Sequence, residues 1–325
     1  MRARDDWVAL TLARSEDLEV LPALCGVEVS NTDDAWAKLA PEVQRQSAIE
    51  LEGRAELLGL GLSAVGKSGG PMIVAGNERP GAQIRDPPLV VDLSALWAGP
   101  LCGNLLHLAG ARVIKVEDLA RPDGARGGPK PFFDLLHGGK LSVVLDFRSS
   151  DGKSHLMDLL SAADVVITSS RARAFDQLDI DVHEVLSRST DKVWTAITAY
   201  GWSSNRVGFG DDVAAGSGLV AWHPVDGEPR FAGDALADPL CGIEAAALTL
   251  DCLAVGGRWF VDASLAGAAQ KAASPKANSV MATSRDGRWY FEGQLVGEPR
   301  ARSPLTAAPT LGSDTGSVLG AIATN

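Results

Sequence analysis

Between residues 88 and 262, short apolar runs alternate with stretches of helical spacing. Leu89–Leu93, Arg112–Glu117, Ser142–Asp146, Asp164–Thr168, Val193–Thr198 and Trp259–Asp262 read as strands. Between them, helices are predicted from Gly99 through Leu108, over Gly152–Ala162, near Ala172–Leu178, over Val182–Ser187 and over Asp238–Ala254. Pro100 sits early in the first of these, where its missing N–H costs nothing, and Gly110 follows its end. Strands alternating with helices predict an α/β protein with a mainly parallel sheet covered on both faces.

The flanks are less regular. Trp7–Leu12 alternates like a strand, and Asp17–Leu24 and Ala48–Leu58 read as helices. Residues 66–88 are rich in Gly and Pro and read as a linker or irregular strap. The tail beyond Leu265 is polar, with a short strand at Arg288–Phe291, and the last twenty-five residues read as a loose extension. The expected organisation is a small-domain-like segment over 1–70, a linker over 71–88, the main domain over 89–270 and an extension over 271–325. Gly61–Ser68 fits the spacing of a phosphate loop, but helical residues precede it and Gly69-Gly70-Pro71 follows it. Such a loop needs a strand before it and a helix after it, so the motif is rejected.

A length of 325 residues and 46% hydrophobic content leave room for a real core. The net charge of -11 argues against nucleic-acid binding, and any phosphorylated ligand would need a local basic cluster. No apolar run is long enough to span a membrane, so no membrane association is expected. Cys25, Cys102, Cys241 and Cys252 are scattered, which predicts no metal site and reduced, packed thiols in a cytoplasmic protein.

The run Val90-Val-Asp-Leu-Ser-Ala-Leu-Trp-Ala-Gly-Pro100, then Leu105-Leu-His-Leu-Ala-Gly-Ala-Arg-Val-Ile-Lys-Val-Glu117, resembles the opening of the family III CoA-transferases, the CaiB/BaiF group. Further matches follow in the family's order: Asp123-Gly-Ala-Arg126, Gly139-Lys140-Leu-Ser142 with Leu145-Asp146, Ala163–Ile167, Ala196–Gly201 and Gly233–Asp238 with Gly242. The resemblance covers about residues 88–270. It implies a Rossmann-like, doubly wound large domain with a smaller α+β second domain, usually in an interlocked homodimer. It also implies transfer of CoA between an acyl-CoA and a free carboxylic acid through a covalent aspartyl intermediate. CoA is then a substrate, and no permanently bound cofactor is expected.

By this resemblance Asp238 is the catalytic nucleophile, with Asp234 as a nearby rival. Asp238-Pro239 precedes a long helix, so Asp238 also reads as its N-cap and Pro239 as its first residue. Free N–H groups and the dipole at that position favour an ionised carboxylate. Trp97 and Ala98 follow the first strand, at the edge where open α/β sheets bind ligands. The diphosphate and 3′-phosphate of CoA call for cations, and Arg126, Lys140 and Arg171 are the expected contacts. Lys115, Arg121, Lys130 and Arg173 lie in the same region. Ser169 stands where the family commonly has an Asn that touches CoA.

Some departures bear on the reading. Gln177 stands where an Arg often occurs, and the Pro-Gly turn after Ile167 is missing. The racemase branch of the family uses a Gly-His-Asp segment, which here is Gly210-Asp211-Asp212, so the His is absent. Asp211 replaces it well only if strongly buried. The small-domain-like segment precedes the catalytic half, and the short chain could leave that domain incomplete. The alternatives are an α-methylacyl-CoA racemase-like enzyme and a non-catalytic acyl-CoA-binding paralogue.

Overall fold

The computed structural model describes residues 1–29, 31–81, 85–223, 225–273, 282–298, 300 and 302–323. The N-terminal segment holds β1 (Val8–Thr11), α1 (Leu21–Cys25), α2 (Thr32–Gln44), α3 (Ala48–Leu58) and β2 (Gly61–Ala64). β1 and β2 pair antiparallel. Leu21, Leu24, Leu39, Val43, Leu51, Leu60 and Leu62 bury a separate apolar core there. Asn31 caps α2 by accepting from the Asp34 N–H at 2.9 Å. The helix continues through Pro41, which obscured it in the sequence.

The main body follows as β3 (Met72–Glu78), β4 (Leu89–Asp92), α4 (Ala98–Leu108), β5 (Arg112–Asp118), α5 (Lys130–His137), β6 (Leu141–Leu145), α6 (Ser150–Ala162) and β7 (Val165–Thr168). Next come α7 (Ala172–Gln177), α8 (Val182–Ser187), β8 (Lys192–Thr198) and α9 (Gly210–Gly216). A hairpin of β9 (Val220–Trp222) and β10 (Pro229–Phe231), then α10 (Ala237–Val255), β11 (Gly257–Ser264) and α11 (Leu265–Ala272) complete it. The seven-stranded sheet runs β3-β11-β8-β7-β4-β5-β6. All its pairs are parallel except β3 with β11. The predicted α/β, doubly wound, mainly parallel architecture is the one observed.

Alternate residues of each strand feed opposite cores, as the two-residue period requires. Val90, Val113, Val165, Ile167, Val193, Val261 and Ala263 pack with Cys102, Leu106, Val213, Cys241 and Ala245 from α4, α9 and α10. Leu89, Val91, Ile114, Val116, Val143, Val166 and Trp194 pack with Leu156, Leu159, Phe175 and Val185 from α6, α7 and α8. Both faces are therefore covered, which explains why the strands read as nearly unbroken apolar runs.

Two flanking expectations need correction, and one holds. The supposed linker contains β3, which forms the antiparallel edge of the main sheet. The Gly61–Ser68 motif begins as strand β2 and leads into no helix, in keeping with its rejection. Within the last twenty-five residues, 310–323 are not loose. Before them, β12 (Thr283–Arg285), β13 (Arg288–Phe291) and β14 (Gln294–Leu295) form a small exposed sheet. Then α12 (Thr315–Ala323) packs beside β6 and buries Val318. Asp314 Oδ2 accepts from the Ser142 N–H at 2.9 Å, and Thr315 Oγ1 from the Val144 N–H at 3.1 Å. Residues 274–281 of the expected extension lie outside the described residues.

All four cysteines are free and buried. Among the described residues no helix is long and apolar enough to cross a membrane.

Candidate active site

The chain leaves β4 toward β5 and β6 on one side, and later builds β7, β8 and β11 on the other. The sheet therefore has its topological switch between β4 and β7, where loops at the carboxyl ends diverge and leave a crevice. The loop Leu93–Trp97 after β4 and Ser169 after β7 flank this point. They are joined there, because Ser169 Oγ accepts the Ala95 N–H at 2.9 Å.

Asp238 lies in the first turn of α10, inside the helix and not at its cap. Leu236 is the N-cap, and the Asp238 N–H bonds the Ala235 carbonyl at 2.9 Å. The backbone N–H groups of Ala98 and Gly210, the first residues of α4 and α9, lie beside the Asp238 carboxyl and favour its charged form. Three helix N-termini thus meet at one carboxylate, a concentration of partial positive charge and free N–H groups. Burial nevertheless dominates, and pushes the Asp238 carboxyl up to about 7. The Ala98 and Gly210 donors oppose that rise, while the carboxylates of Asp211 and Asp234 add to it. Full ionisation at neutrality, expected from the dipole alone, is therefore corrected to a group poised near neutral pH.

Glycine makes this convergence possible. A Cβ on Gly210 would lie 2.2 Å from Asp238 Oδ2, and one on Gly242 would lie 2.6 Å from the Ala98 carbonyl. The second contact lets α10 press onto the start of α4.

Beneath the Leu93–Trp97 loop lies a buried, charge-compensated network. Lys140 Nζ donates to Asp92 Oδ2 at 2.8 Å and to the Pro100 carbonyl at 2.9 Å. Lys115 Nζ donates to Asp123 Oδ2 and to the Ser94 carbonyl, each at 2.8 Å. Arg126 pairs through two nitrogens with Glu117, which also accepts the Asp123 N–H at 3.0 Å. Burial opposes ionisation of Asp92, but the ammoniums of Lys140 and Lys115 overcome it and hold its carboxyl below the usual range. His137 lies 3.9 Å from Asp123, and burial with the surrounding cations holds it far below the usual imidazole range, hence neutral.

The predicted contacts divide accordingly. Asp238 and Ala98 meet directly. Trp97 caps α4 and packs edge-on against Phe132, with ring centroids 5.0 Å apart. Lys140 and Lys115 are not surface cations; both are buried, and their charges point inward. Arg126 is only partly exposed, engaged by Glu117 and stacked over Phe133. Ser169 is exposed with its hydroxyl on the Ala95 backbone.

Arg171 caps α7 and donates to the Asn205 carbonyl at 3.1 Å. Burial, then the guanidiniums of Arg173, Arg14 and Arg121, hold it below the usual arginine range. These four arginines therefore share one electropositive locality in an acidic chain. Arg14 was missed because it comes from the N-terminal segment, and no local pattern predicts that it stacks over Phe209 at 5.8 Å. Arg206 was missed for the same reason. It pairs with Glu52, bonds Ser63 Oγ at 3.1 Å, lies over the Tyr200 ring at 3.9 Å and so ties the N-terminal segment to the body. Among the described residues no cluster of His, Cys, Asp or Glu could hold a metal ion.

Comparison with known proteins agrees with the motifs. The profile described as CoA-transferase family III matches residues 88–291. A succinate–glutarate CoA-transferase of Agrobacterium fabrum is 30% identical over 181 residues, covering 49% of this chain and 45% of that protein. A (R)-2-hydroxy-4-methylpentanoate CoA-transferase of Clostridioides difficile is 32% identical over 123 residues, covering 34% of this chain and 31% of that protein. The crystal structure of a CaiB/BaiF family protein from Brucella suis superposes with a TM-score of 0.55 at 26% identity, covering 59% of this chain and 56% of that one. The chain thus spans less than half the length of the two curated relatives. The matched region holds β4 through β11, the crevice and Asp238, and the chain belongs to CoA-transferase family III.

Proposed function

We propose that this protein moves CoA between an acyl-CoA thioester and a free carboxylic acid, with Asp238 as covalent nucleophile. The Asp238 carboxylate attacks the thioester carbonyl, the C–S bond breaks, and CoA thiolate leaves a mixed anhydride. The thiolate then attacks the aspartyl carbonyl, which releases the first acid and leaves an aspartyl-CoA thioester. The acceptor carboxylate attacks that thioester and displaces CoA thiolate again. Attack of the thiolate on the new acyl carbonyl frees Asp238. The charge balances at each step, and no outside oxidant or reductant is needed.

The observation that carries the reading is the Asp238 carboxyl packed against Gly210 and flanked by the N–H groups of Ala98 and Gly210, in a chain of this family. Once Asp238 is acylated, the same donors are suited to stabilise oxyanion charge on its carbonyl oxygen. A carboxyl titrating near 7 is more basic than an ordinary aspartate, and so more nucleophilic when ionised. The arginines around Arg171 are suited to the phosphates of CoA. The decisive test is exchange of labelled CoA between two carboxylic acids, compared in the parent and Asp238→Ala. Exchange abolished by the substitution supports the proposal, and undiminished exchange refutes it.

A homodimer belongs to the same reading. Ile243, Ala247, Leu250 and Ala254 form an exposed apolar stripe on α10, with Ile243 at 54% and Leu250 at 40% exposure. The outer edge strand β3 adds exposed Ile73 and Val74. Sedimentation as a single monomeric species at micromolar concentration would remove this part of the proposal.

One observation favours a second reaction. Asp211 is partly buried, its charge acts on the Asp238 carboxyl, and burial raises its own carboxyl above the usual range. Two carboxyls so placed could exchange an α-proton. Deuterium uptake at the α-carbon of an acyl-CoA without CoA exchange would favour that racemase-like activity.

A further inference from the structure

The backbone of the Leu93–Trp97 loop and of the first turn of α4 is held almost group by group. The Leu93 N–H bonds the Ile167 carbonyl at 2.8 Å. The Ser94 N–H bonds Asp92 Oδ1 at 3.0 Å, and the Ser94 carbonyl accepts from Lys115 at 2.8 Å. The Ala95 N–H bonds Ser169 Oγ at 2.9 Å, and the Leu96 N–H bonds Asp123 Oδ1 at 3.1 Å. The Pro100 carbonyl accepts from Lys140 at 2.9 Å. The holding side chains come from β4, β5, the segment after β5, the segment before β6, and the end of β7.

Leu96 has φ of 69°, a left-handed conformation that a leucine adopts at a cost. Its side chain is 44% exposed, so burial of the side chain does not account for the strain. What the conformation achieves lies just beyond it. Trp97 turns out of the extended region with φ of -127° and ψ of -64°, α4 begins against α10, where a Cβ on Gly242 would lie 2.6 Å from the Ala98 carbonyl, and the Ala98 N–H comes to lie beside the Asp238 carboxyl.

We infer that Asp123, together with Lys115 and Ser169, is a positioning residue for the reaction at Asp238. These side chains fix the strained Leu93–Trp97 loop so that the Ala98 N–H stays beside the nucleophile's carboxylate. Asp123 bonds the loop through Oδ1 and Lys115 through Oδ2, while Lys115 grips the Ser94 carbonyl. The pair therefore clamps the loop from one side and Ser169 clamps it from the other. The residues of the family motifs around β5 and β7 act here on backbone geometry and do not need to touch the ligand. This inference rests on the reading of Asp238 as nucleophile.

The test reads the Asp238 carboxyl itself and not only turnover. The full chain is labelled with 13C at aspartate carboxyls, and the Asp238 signal is assigned by its loss in Asp238→Asn. The charges of Asp211 and Asp234 act on the same carboxyl, and both groups are followed in the same titration. Two variants are compared with the parent. In Lys115→Met/Asp123→Ala both members of the buried pair become uncharged, so no lone charge is left in the interior. Ser169→Ala changes an exposed side chain.

In both variants the Asp238 midpoint should move upward, by about half a pH unit or more in the double variant, because a hydrogen-bond donor to the charged form has been loosened. The turnover number for CoA exchange should fall about tenfold in the double variant, with KM for acyl-CoA changed less than about twofold, as for an interaction used mainly in the transition state. A merely structural role would lower the melting temperature without moving the midpoint. A folded Ser169→Ala with an unmoved midpoint and unmoved turnover number overturns the inference, and decides it alone if the double variant does not fold. Should Asp238→Ala retain full exchange while the midpoints move as stated, the functional reading fails and the loop's hold on the carboxyl stands.

Discussion

Gly210 packs so tightly on Asp238 that a methyl group at its Cα would lie 2.2 Å from the carboxylate Oδ2. The same methyl would meet the Ala235 carbonyl at 2.6 Å, so the strain cannot be relieved by a side-chain rotation alone. Gly210 is not in a left-handed conformation; its requirement is space. Gly210→Ala should therefore push the start of α9 away from α10 and move the Gly210 N–H away from the Asp238 carboxyl, the proposed nucleophile. The expected cost is about 1–3 kcal/mol of stability. CoA exchange should fall at least about tenfold, since mispositioning a group at the reacting centre is expensive. Parent-like exchange in a folded Gly210→Ala would show that this contact has no part in the reaction.

Burial places the Asp238 carboxyl near 7, and in the proposed reaction its ionised form is the nucleophile. The kcat/KM for CoA exchange should therefore rise with pH through a midpoint near 7. A nucleophile with an ordinary aspartate pKa would give a flat profile over pH 6–8. Initial rates across that range, with a substrate that does not itself titrate there, decide between the two.

Asp212 is fully buried at the seam between α9 and the N-terminal segment, and burial pushes its carboxyl up to about 7. Thr11 from β1 and Arg206 oppose the rise, as does the Phe209 N–H, which donates to Oδ1 at 2.9 Å. Tyr200 and Glu52 also adjoin this seam. Because the folded-state pKa is raised, the folded chain binds more protons than the unfolded one between about pH 4 and 7. Stability from this group is full below that window and is lost as pH rises through it. Asp212→Asn keeps an oxygen for Phe209 and removes the titration. It should stabilise the protein at pH 8 by a few kcal/mol at most, with little effect at pH 4, where the parent carboxyl is already neutral. Denaturant titrations at the two pH values test the sign.

The Lys140–Asp92 pair is buried on both sides, so removing one partner strands the other. Lys140→Met alone should cost roughly 3–5 kcal/mol, whereas Asp92→Asn/Lys140→Met should recover a large part of that loss. Equal losses in the single and double variants would mean that the pair's environment, and not the pair, sets the cost. Chemical denaturation of the three proteins measures this.

Much of the sheet was legible because its strands are buried on both faces and its helices are long enough to show their period. α10 and the strands Leu89–Asp92 and Val165–Thr168 stand within a residue or two of their predicted limits. α9 (Gly-Asp-Asp-Val-Ala-Ala-Gly) and α11 are short and built from Gly and Ala, so no apolar period marks them. β3 was hidden because its residues are largely exposed on an edge, which gives no alternation to read.

The sequence pointed to Asp238 as a candidate because a family block coincided with a helix start. The cations were read less well. Lys140 and Lys115 have the residue type that phosphate binding asks for, but their acidic partners lie far apart in sequence, at Asp92 and Asp123. Only the parallel packing of β4, β5 and β6 brings them together. Arg14 joins Arg171 by the same kind of long-range docking, which a single chain of letters does not disclose.

The central claim is that the Asp238 carboxyl becomes acylated during turnover. Incubation with a panel of acyl-CoA thioesters, trapping with hydroxylamine and peptide mapping by mass spectrometry tests it directly. The account predicts a hydroxamate on Asp238, absent in Asp238→Ala and absent without thioester. Modification confined to peptides outside residues 231–258 would contradict it.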